Sequence, residues 1–316
     1  MAKQATWVVT GAGGFLGSHV TEQLLGRGIR VAAVDTFTSG RRDFLAPHSS
    51  NPLLSIHETD IRDTSALTSL FQSLQPQAVV HLAAIHFIPA AMKDPPGAVS
   101  LNVHGTQSVL TACTAADVPR FWFASTGDVY APEEVPHREE TPRRPFNIYG
   151  LTKSIGEQLI ELESRNHPHR HFFVGRLFNL YGPRETNPHI LPEILAQLRD
   201  RPSAPLRLGN LWPKRDMVPT ADAARAVIET TLAAPQGVTT MNVATGEARS
   251  MQEVLDIIGE LLGRPLNIET DPAKVRPVER NHLQADVSRL RQLIGWAPNG
   301  DLRAGLRDLL QYEGFL

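Results

Sequence analysis

The chain has 316 residues, of which 41% are hydrophobic, enough to bury a sizeable core in one large or two interlocked domains. It carries 31 Lys and Arg against 33 Asp and Glu, a net charge of −2, so no global field favours nucleic acid or an anionic membrane. The single cysteine, Cys113, excludes an intrachain disulfide framework and is interpreted as a buried helical residue in a reducing cytosol.

The amino-terminal sequence MAKQATWVVTG runs from a few polar residues directly into a predicted strand. It lacks the apolar region and the small-residue cleavage site of a signal peptide. No apolar run reaches the roughly 20 residues that a membrane span needs. We therefore expect a cytoplasmic protein with no membrane partner.

Strand-like and helical segments alternate through the first half of the chain. The predicted strands include TWVVTG, RVAAVD, AVVHLAA and RFWFAS, with amphipathic stretches such as DTSALTSLFQSL between them. Because parallel strands need crossover helices and the crossovers are right-handed, this order predicts an α/β fold with a doubly wound parallel (Rossmann) sheet. Beyond residue 178, shorter segments broken by proline predict a smaller, interleaved domain. We expect residues 1–178 to form the sheet domain and 179–316 the second domain.

The sequence VVTGAGGFLGSHV places Gly11, Gly14 and Gly17 between the first predicted strand and the first predicted helix. Glycines at these positions permit a tight turn, close approach of the backbone to a pyrophosphate, and close packing of helix on strand. The amino terminus of the helix adds amide donors and a positive dipole end. The motif indicates a dinucleotide site, and a purely structural turn is the alternative.

Acidic residues follow the next two predicted strands. Asp35 can accept hydrogen bonds from the adenine ribose hydroxyls and would repel the 2′-phosphate of NADP, although it could simply cap a turn. Asp35 thus favours NAD, while Arg41 and Arg42, which follow closely and could neutralise a phosphate, leave NADP as the alternative. Asp60 could accept from the adenine amino group while Ile61 packs on the ring, and a turn residue is an equal interpretation of Asp60.

Tyr149 and Lys153 lie four residues apart in an amphipathic helical stretch and so share one face. A neighbouring ammonium lowers the pKa of a phenol, which makes Tyr149 a candidate general base near neutral pH. Thr126, at the end of the preceding predicted strand, is a candidate hydroxyl partner.

Beyond these residues, the chain contains the motifs TGAGGFLG, HLAA, LNVHGT, YGLTK, NLYGPR, RDMVPTAD, RPVE and IGWAP. With them it resembles the extended short-chain dehydrogenase/reductases that modify nucleotide sugars, over nearly its whole length. The resemblance implies NAD as cofactor, a UDP- or dTDP-linked sugar as substrate, and no metal. It also implies a homodimer through helices near residues 98–115 and 149–163.

The resemblance assigns roles to individual positions, with NAD held by the sheet domain and the sugar nucleotide by the second domain. The implied cofactor residues are Gly11, Gly14, Phe15, Leu16, Gly17, Asp35, Gly40, Asp60, Ile61, Leu82, Ala83, Ala84, Asn102, Tyr149 and Lys153. The implied substrate residues are Thr126, Asn179, Arg184, His189, Leu191, Arg207, Arg215, Arg276 and Glu279. Two guanidinium groups suit a diphosphate because they pair bidentately and stay charged, although either arginine alone could form a surface ion pair.

The stretch Thr126-Gly127-Asp128 bears on which reaction follows oxidation at sugar carbon 4. Sugar 4,6-dehydratases typically carry Thr-Asp-Glu here and nucleotide-glucuronic acid decarboxylases Thr-Ser-Glu, whereas a 4-epimerase needs no extra acid or base. Asp128 could manage a proton at carbon 5 or could cap a turn. Decarboxylation of an NDP-glucuronic acid to an NDP-pentose or its 4-keto form is therefore ranked first. A 4-epimerase comes second, a 4,6-dehydratase third, and a non-enzymatic NAD-binding redox sensor remains a further alternative.

Overall fold

The structure, a computed structural model, describes residues 5–275 and 280–316. Its strands are β1 Thr6–Thr10, β2 Arg30–Asp35, β3 Leu54–Glu58, β4 Ala78–His81, β5 Arg120–Thr126, β6 His171–Leu177, β7 Asn179–Tyr181, β8 Leu206–Leu208, β9 Lys214–Pro219, β10 Gly237–Val243, β11 Ala248–Ser250, β12 Ile268–Thr270 and β13 His282–Leu283. Its α-helices are α1 Phe15–Gly26, α2 Thr64–Leu74, α3 Ile88–Lys93, α4 Pro95–Val99, α5 Gly105–Ala115, α6 Ile148–Asn166, α7 Ile190–Asp200, α8 Thr220–Leu232, α9 Met251–Leu261, α10 Ser288–Ile294 and α11 Leu302–Tyr312.

Seven strands form a parallel sheet in the order β10-β6-β5-β4-β1-β2-β3. All five residues of β1 are buried, as expected for a central strand covered on both faces. Its side chains alternate, so Trp7 and Val9 join one core cluster while Val8 joins another. Helices α1, α8 and α10 contribute to the first cluster, and α2, α5 and α6 to the second. The doubly wound α/β sheet predicted from the sequence is confirmed.

The chain returns to this sheet after residue 178. Strand β10 pairs with β6 in parallel, and α8 packs on α1, where Gln23 Nε2 donates to the Ala221 carbonyl at 2.7 Å. Segments from beyond residue 178 therefore interleave with the sheet domain. The domain boundary at residue 178 itself stays a prediction. Cys113 is buried in α5, as predicted.

The smaller layer is built on short strands. Strand β9 pairs with β7, β11 and β13, and β8 pairs with β12. Helices α7, α9 and α11 cover these strands around a separate apolar cluster that includes Ile194, Leu255 and Leu306. In the described part of the chain, no helix is both long and apolar enough to cross a membrane.

The strand order reverses direction between β1 and β4, since β2 and β3 lie on one side of β1 while β4, β5 and β6 lie on the other. In open α/β sheets, ligands bind in the crevice outside the carboxyl ends of the strands at this switch point. The residues after β1, β4 and β5 are therefore the first place to look for a site.

Candidate active site

A cleft with a volume of about 1320 Å³ lies at the carboxyl ends of the central strands and extends to the smaller layer. Its size exceeds the roughly 300–1,000 Å³ of a typical single small-ligand site, so it has room for more than one nucleotide-sized group. Predicted site residues from both halves of the chain line it. They are Gly11, Gly14, Phe15, Leu16, Gly17, Asp35, Gly40, Asp60, Ile61, Leu82, Ala83, Ala84, Thr126, Asp128, Tyr149, Lys153, Asn179, Arg184, His189, Leu191 and Arg215.

The glycine-rich turn after β1 is packed so closely that larger residues do not fit. Gly11 has a φ of +71°, and a Cβ there would lie 2.8 Å from the Ala83 amide nitrogen. A Cβ on Gly17 would lie 2.0 Å from the Gly11 carbonyl oxygen. The turn leads into α1, whose first residues line the cleft, and the amino terminus of a helix is a ready anion-binding site.

Asp35, at the end of β2, braces the loops beside this turn. Its carboxylate accepts from the amide nitrogens of Gly13 at 2.9 Å and Phe37 at 2.8 Å. A carboxylate has about four acceptor positions, so Asp35 caps the turn and can still accept from a ligand in the cleft. Arg41 pairs with Asp43 and Arg42 with Glu58, so these arginines already have acidic partners.

Asp60 lines the cleft and pairs with Arg62, whose Nε lies 3.0 Å from Asp60 Oδ1. The hydrogen bond from Arg62 lowers the pKa of Asp60, so its carboxyl is ionised at neutral pH. The side chain of Ile61 lies beside Gly105 at the start of α5.

Asn102 is buried and does not line the cleft of the cofactor-free protein, so its predicted contact with the cofactor stays a prediction. Its side chain accepts from the Ile85 amide at 2.8 Å and donates to Thr152 Oγ1 at 3.0 Å. Asn102 thus ties the segment after β4 to α6 and supports the cleft wall without forming it.

Tyr149 and Lys153 lie on the cleft-facing side of α6, which begins with Asn147 accepting from the Gly150 amide at 2.8 Å. Tyr149 is 9% exposed, and its hydroxyl lies close enough to Thr126, at the end of β5, for the two to interact. Lys153 is 2% exposed, with its Nζ 4.8 Å from the centre of the Phe123 ring. Three of the four predicted catalytic side chains, Thr126, Tyr149 and Lys153, therefore lie together in the cleft, and Asp128 is the fourth.

Burial controls the charges of this group. Burial raises the pKa of Tyr149, the charge of Asp128 raises it further, and the hydrogen bond to Thr126 opposes the rise. Burial also lowers the pKa of Lys153 to about 7. The sequence-based expectation that Lys153 lowers the pKa of Tyr149 is not met in the protein alone, because desolvation is the larger effect for both side chains.

Asp128 lies in the single helical turn Gly127–Val129 that follows β5, and its side chain is 18% exposed in the cleft wall. Arg280 Nη1 is 3.7 Å from Asp128 Oδ1. The pKa of Asp128 is raised by burial, while the charges of Arg280 and Arg215 act in the opposite direction. The turn itself is capped by Thr126, whose Oγ1 accepts from the Asp128 amide at 3.2 Å.

Several of the predicted substrate residues line the cleft and already contact other residues of the protein. Arg184 lines the cleft in a left-handed conformation with φ +70°, and its Nη2 lies 2.7 Å from Glu22 Oε2 on α1. His189 Nδ1 is 3.2 Å from Glu185 Oε2, and the His189 ring meets Phe87 edge to face at 5.3 Å between centres. Arg215 donates to the carbonyl oxygen of Arg280 at 2.8 Å.

One further predicted substrate residue lies outside the cleft, and two fall outside the described residues. The Arg207 side chain is 61% exposed outside the cleft lining, with its Nε 3.8 Å from Glu269 Oε2, so its substrate role stays a prediction. The predicted positions Arg276 and Glu279 lie outside the described residues.

Sequence analysis missed several lining residues. His86 and Phe87 follow β4, Phe178 follows β6, and Arg280 precedes β13. The positions of His86 and Phe87 just after a strand were a usable signal, since strand ends meet the ligand in such sheets. Arg280 gave none, because its distance from Asp128 is a property of the folded chain. Within the described residues, no group of His, Cys, Asp or Glu is arranged to hold a metal ion.

Comparison with known proteins gives the family. Residues 8–309 match the family model described as GDP-mannose 4,6 dehydratase. The chain belongs to this family. The resemblance to the nucleotide-sugar-modifying short-chain dehydrogenase/reductases is thereby confirmed, and similar curated proteins include nucleotide-sugar epimerases and a dehydratase.

Individual relatives have different activities. The chain is 30% identical to a UDP-glucose 4-epimerase of Rhizobium leguminosarum bv. trifolii, covering 96% of this chain and 95% of the relative. It is 29% identical to a dTDP-glucose 4,6-dehydratase of Xanthomonas campestris pv. campestris (strain B100), covering 96% and 91%. The crystal structure of the Bacillus cereus UDP-glucuronic acid 4-epimerase with UDP-glucuronic acid and NAD superposes with a TM-score of 0.88, at 26% identity and 98% coverage of each chain.

Proposed function

We propose that the protein is an NAD-dependent 4-epimerase of a nucleoside-diphosphate sugar. The observation that carries the proposal is the buried group of Tyr149, Thr126 and Lys153, which lies in one cleft with the glycine-rich turn and with Asn179 and Arg215 of the second half. A 4-epimerase needs a base at the carbon-4 hydroxyl and a hydride acceptor, and nothing further at carbons 5 and 6. The 4-epimerases among the relatives support this assignment.

The cleft residues fit NAD. The close-packed glycine turn leaves room for a pyrophosphate at the start of α1, and Asp35 lies at the end of β2 with acceptor capacity for ribose hydroxyls. NAD held by these residues would supply the hydride acceptor for oxidation of sugar carbon 4 and the hydride donor for its reduction from either face. We assign NAD to residues 1–178 and the sugar nucleotide mainly to 179–316.

Tyr149 is the proposed base for the carbon-4 hydroxyl, with Thr126 as the second hydroxyl at that atom. Because burial raises the pKa of Tyr149, the phenolate needs positive charge nearby. Protonated Lys153, one helical turn away, carries such a charge, and the oxidised nicotinamide ring is also cationic. We therefore expect Tyr149 to become an effective base only in the holoenzyme.

Decarboxylation of an NDP-glucuronic acid, ranked first on the sequence, becomes the second candidate. One observation favours it: burial raises the pKa of Asp128, whose carboxyl lies in the cleft wall beside the Tyr149 group and could carry a proton to carbon 5. The pairing of Asp128 with Arg280 argues against this use, because the arginine favours the ionised form. The named relatives also catalyse epimerisation or dehydration.

Incubation in deuterium oxide separates the reactions. UDP-glucose, UDP-glucuronic acid and dTDP-glucose would each be supplied to the purified holoenzyme, with products analysed by mass and proton NMR. A 4-epimerase gives a product of unchanged mass with inverted carbon 4 and no deuterium at carbon 5. Loss of carbon dioxide or water, with deuterium at carbon 5, would show decarboxylation or dehydration instead. A protein that binds NAD and alters no sugar would be a redox sensor.

Tyr149→Phe is the matched control, since it removes only the hydroxyl. We expect turnover to fall at least about 100-fold, in line with the loss of a general base. NAD content should stay close to that of the wild type. Turnover near the wild-type rate would remove Tyr149 from the mechanism.

A further inference from the structure

The segment that follows β7 connects two parts of the sheet domain. We call residues 182–189 the strap, and most of them line the cleft. At its start, the carbonyl oxygen of Pro183 lies 3.1 Å from His19 Nε2, and Arg184 Nη2 lies 2.7 Å from Glu22 Oε2. Both partners belong to α1, the helix that begins at the glycine-rich turn. The start of the strap is therefore fixed to the helix at which we place the pyrophosphate of NAD.

The other end of the strap contacts the segment that follows β4. Asn187 Nδ2 donates to His86 Nε2 at 3.0 Å, and the His189 ring meets the Phe87 ring edge to face at 5.3 Å between centres. We call these four side chains the clasp, and all but Asn187 line the cleft. The clasp joins a wall of the sheet domain to a segment from beyond residue 178, so it connects the two halves of the chain beside the cleft.

A single carboxylate, that of Glu185, shapes the strap so that the clasp can form. Its side chain is 8% exposed. Its Oε1 accepts from the amide nitrogens of Thr186 at 2.9 Å and Asn187 at 3.1 Å, and its Oε2 lies 3.2 Å from His189 Nδ1. The side-chain nitrogen of Asn187 can only donate, so His86 Nε2 is the unprotonated ring nitrogen. The clasp therefore uses the neutral form of His86.

The clasp lies close to the reactive end of the cleft. Ile85 and Ile88, the residues on either side of His86 and Phe87, pack against the apolar cluster that includes Tyr149. The strap is thus fixed at one end beside the glycine-rich turn and at the other beside the Tyr149 group. These are the two places at which the proposed function puts the pyrophosphate and the reacting end of the dinucleotide.

We propose that the clasp positions the strap along the bound dinucleotide and retains the cofactor between the two hydride transfers. The inference rests on the proposed function for the position of NAD. A 4-epimerase needs such retention because the hydride taken from carbon 4 must be returned before the cofactor leaves. His86 and Asn187 are positioning residues in this role, since they act through the strap.

The rate of NADH release measures the clasp directly. Protein loaded with NADH, without sugar, would be mixed with an excess of NAD, and the loss of bound NADH fluorescence gives the release rate. We expect Asn187→Ala to release NADH about 3- to 10-fold faster than the wild type, the effect of removing one neutral hydrogen bond. His86→Phe keeps a planar ring but lacks the acceptor, so it should act in the same direction.

Gln23→Ala is the matched control. Gln23 also joins the two halves of the chain, by donating to the Ala221 carbonyl at 2.7 Å, but both residues lie outside the cleft lining. This variant should leave the release rate unchanged. The double variant Asn187→Ala/His86→Phe should release NADH no faster than the faster single variant, because both changes remove the same contact.

These release rates need no sugar, so they separate the inference from the proposed function. If no sugar nucleotide is altered at carbon 4 while both clasp variants release NADH faster, the proposed function fails and the clasp stands. If sugars are epimerised but both clasp variants release NADH at the wild-type rate, the clasp is overturned. An equal acceleration by Gln23→Ala, or additive effects in the double variant, would also overturn it.

Discussion

At the scale of single residues, burial decides the charge of Lys153. The side chain is 2% exposed and its pKa falls from 10.5 to about 7 because the ammonium is dehydrated. The unfolded chain keeps the ordinary pKa, so between about pH 7 and 10.5 the unfolded state binds the proton that the folded state has lost. The burial of Lys153 thus lowers the free energy of unfolding of the cofactor-free protein. This loss is largest below about pH 7 and becomes smaller as the pH rises towards 10.5.

Lys153→Met should therefore stabilise the cofactor-free protein at pH 6, by up to about 5 kcal/mol from the linkage relation for a pKa lowered from 10.5 to about 7. The difference between variant and wild type should shrink at pH 9, since the wild type gains stability as the folded lysine deprotonates. Urea unfolding at the two pH values measures this. Lys93→Met, on the exposed surface of α3, should show no such change. An equal difference at both pH values would show that the charge of Lys153 is not penalised by burial.

At the scale of elements, the packing of α1 on the first turn depends on Gly17. A Cβ there would meet the Gly11 carbonyl oxygen at 2.0 Å, so the helix must shift away from the strand. We expect Gly17→Ala to cost about 1–3 kcal/mol, as overpacked sites do, and to weaken NAD binding at least about 10-fold through the displaced amide groups. Unfolding and NAD titration check both effects.

Gly26→Ala is the matched substitution, because no atom lies within 4 Å of the position that its Cβ would take. It lies at the other end of the same helix and should leave NAD affinity unchanged. If the two variants bind NAD equally well, the turn does not position the dinucleotide.

A buried ionic network joins α6 to the strands that end at the site. Glu157, 2% exposed on α6, accepts from Arg176 Nη2 at 2.8 Å and from Ser125 Oγ at 2.5 Å. Arg176 lies on β6 and also donates to the Tyr130 hydroxyl at 2.8 Å. The network fixes the helix that carries Tyr149 against the strand that carries Thr126.

Glu157→Gln removes the charge that balances the buried Arg176. We expect a loss of about 3–5 kcal/mol in the free energy of unfolding, as when one partner of a buried pair is removed. Glu161→Gln should cost less than about 1 kcal/mol, because Glu161 is 43% exposed where it pairs with Arg143. Urea unfolding of both variants tests this prediction. If Glu157→Gln loses no more free energy of unfolding than Glu161→Gln, the buried network contributes little to stability.

At the scale of the whole molecule, we expect a homodimer through the helical faces near residues 98–115 and 149–163. Leu151 and Leu162 on α6 are 45% and 56% exposed in the single chain, which suits an apolar contact. Light scattering coupled to size-exclusion chromatography should give the mass of two chains, and Leu162→Arg should shift it towards one. A monomeric wild type would contradict the dimer.

The order of strands and helices, the glycine turn and the Tyr149–Lys153 pair could be predicted because each depends on residues close together in the sequence. Arg280 could not, since it reaches Asp128 only after β13 joins β9 in the second layer. The exclusion of Asn102 and Arg207 from the cleft also depends on tertiary contacts, to Thr152 and Glu269. The pKa of Tyr149 was expected to fall because the spacing shows Lys153 but does not show the burial of both groups.

The central claim is that sugar carbon 4 is oxidised and then reduced by the same bound cofactor, with Tyr149 as base. A UDP-hexose carrying deuterium at carbon 4, incubated with the holoenzyme in ordinary water, tests it most directly. The account predicts a product with inverted carbon 4 that retains the deuterium there, and no such product with Tyr149→Phe. Loss of the label to solvent, or a sugar left unchanged at carbon 4 with every NDP-hexose supplied, would contradict it.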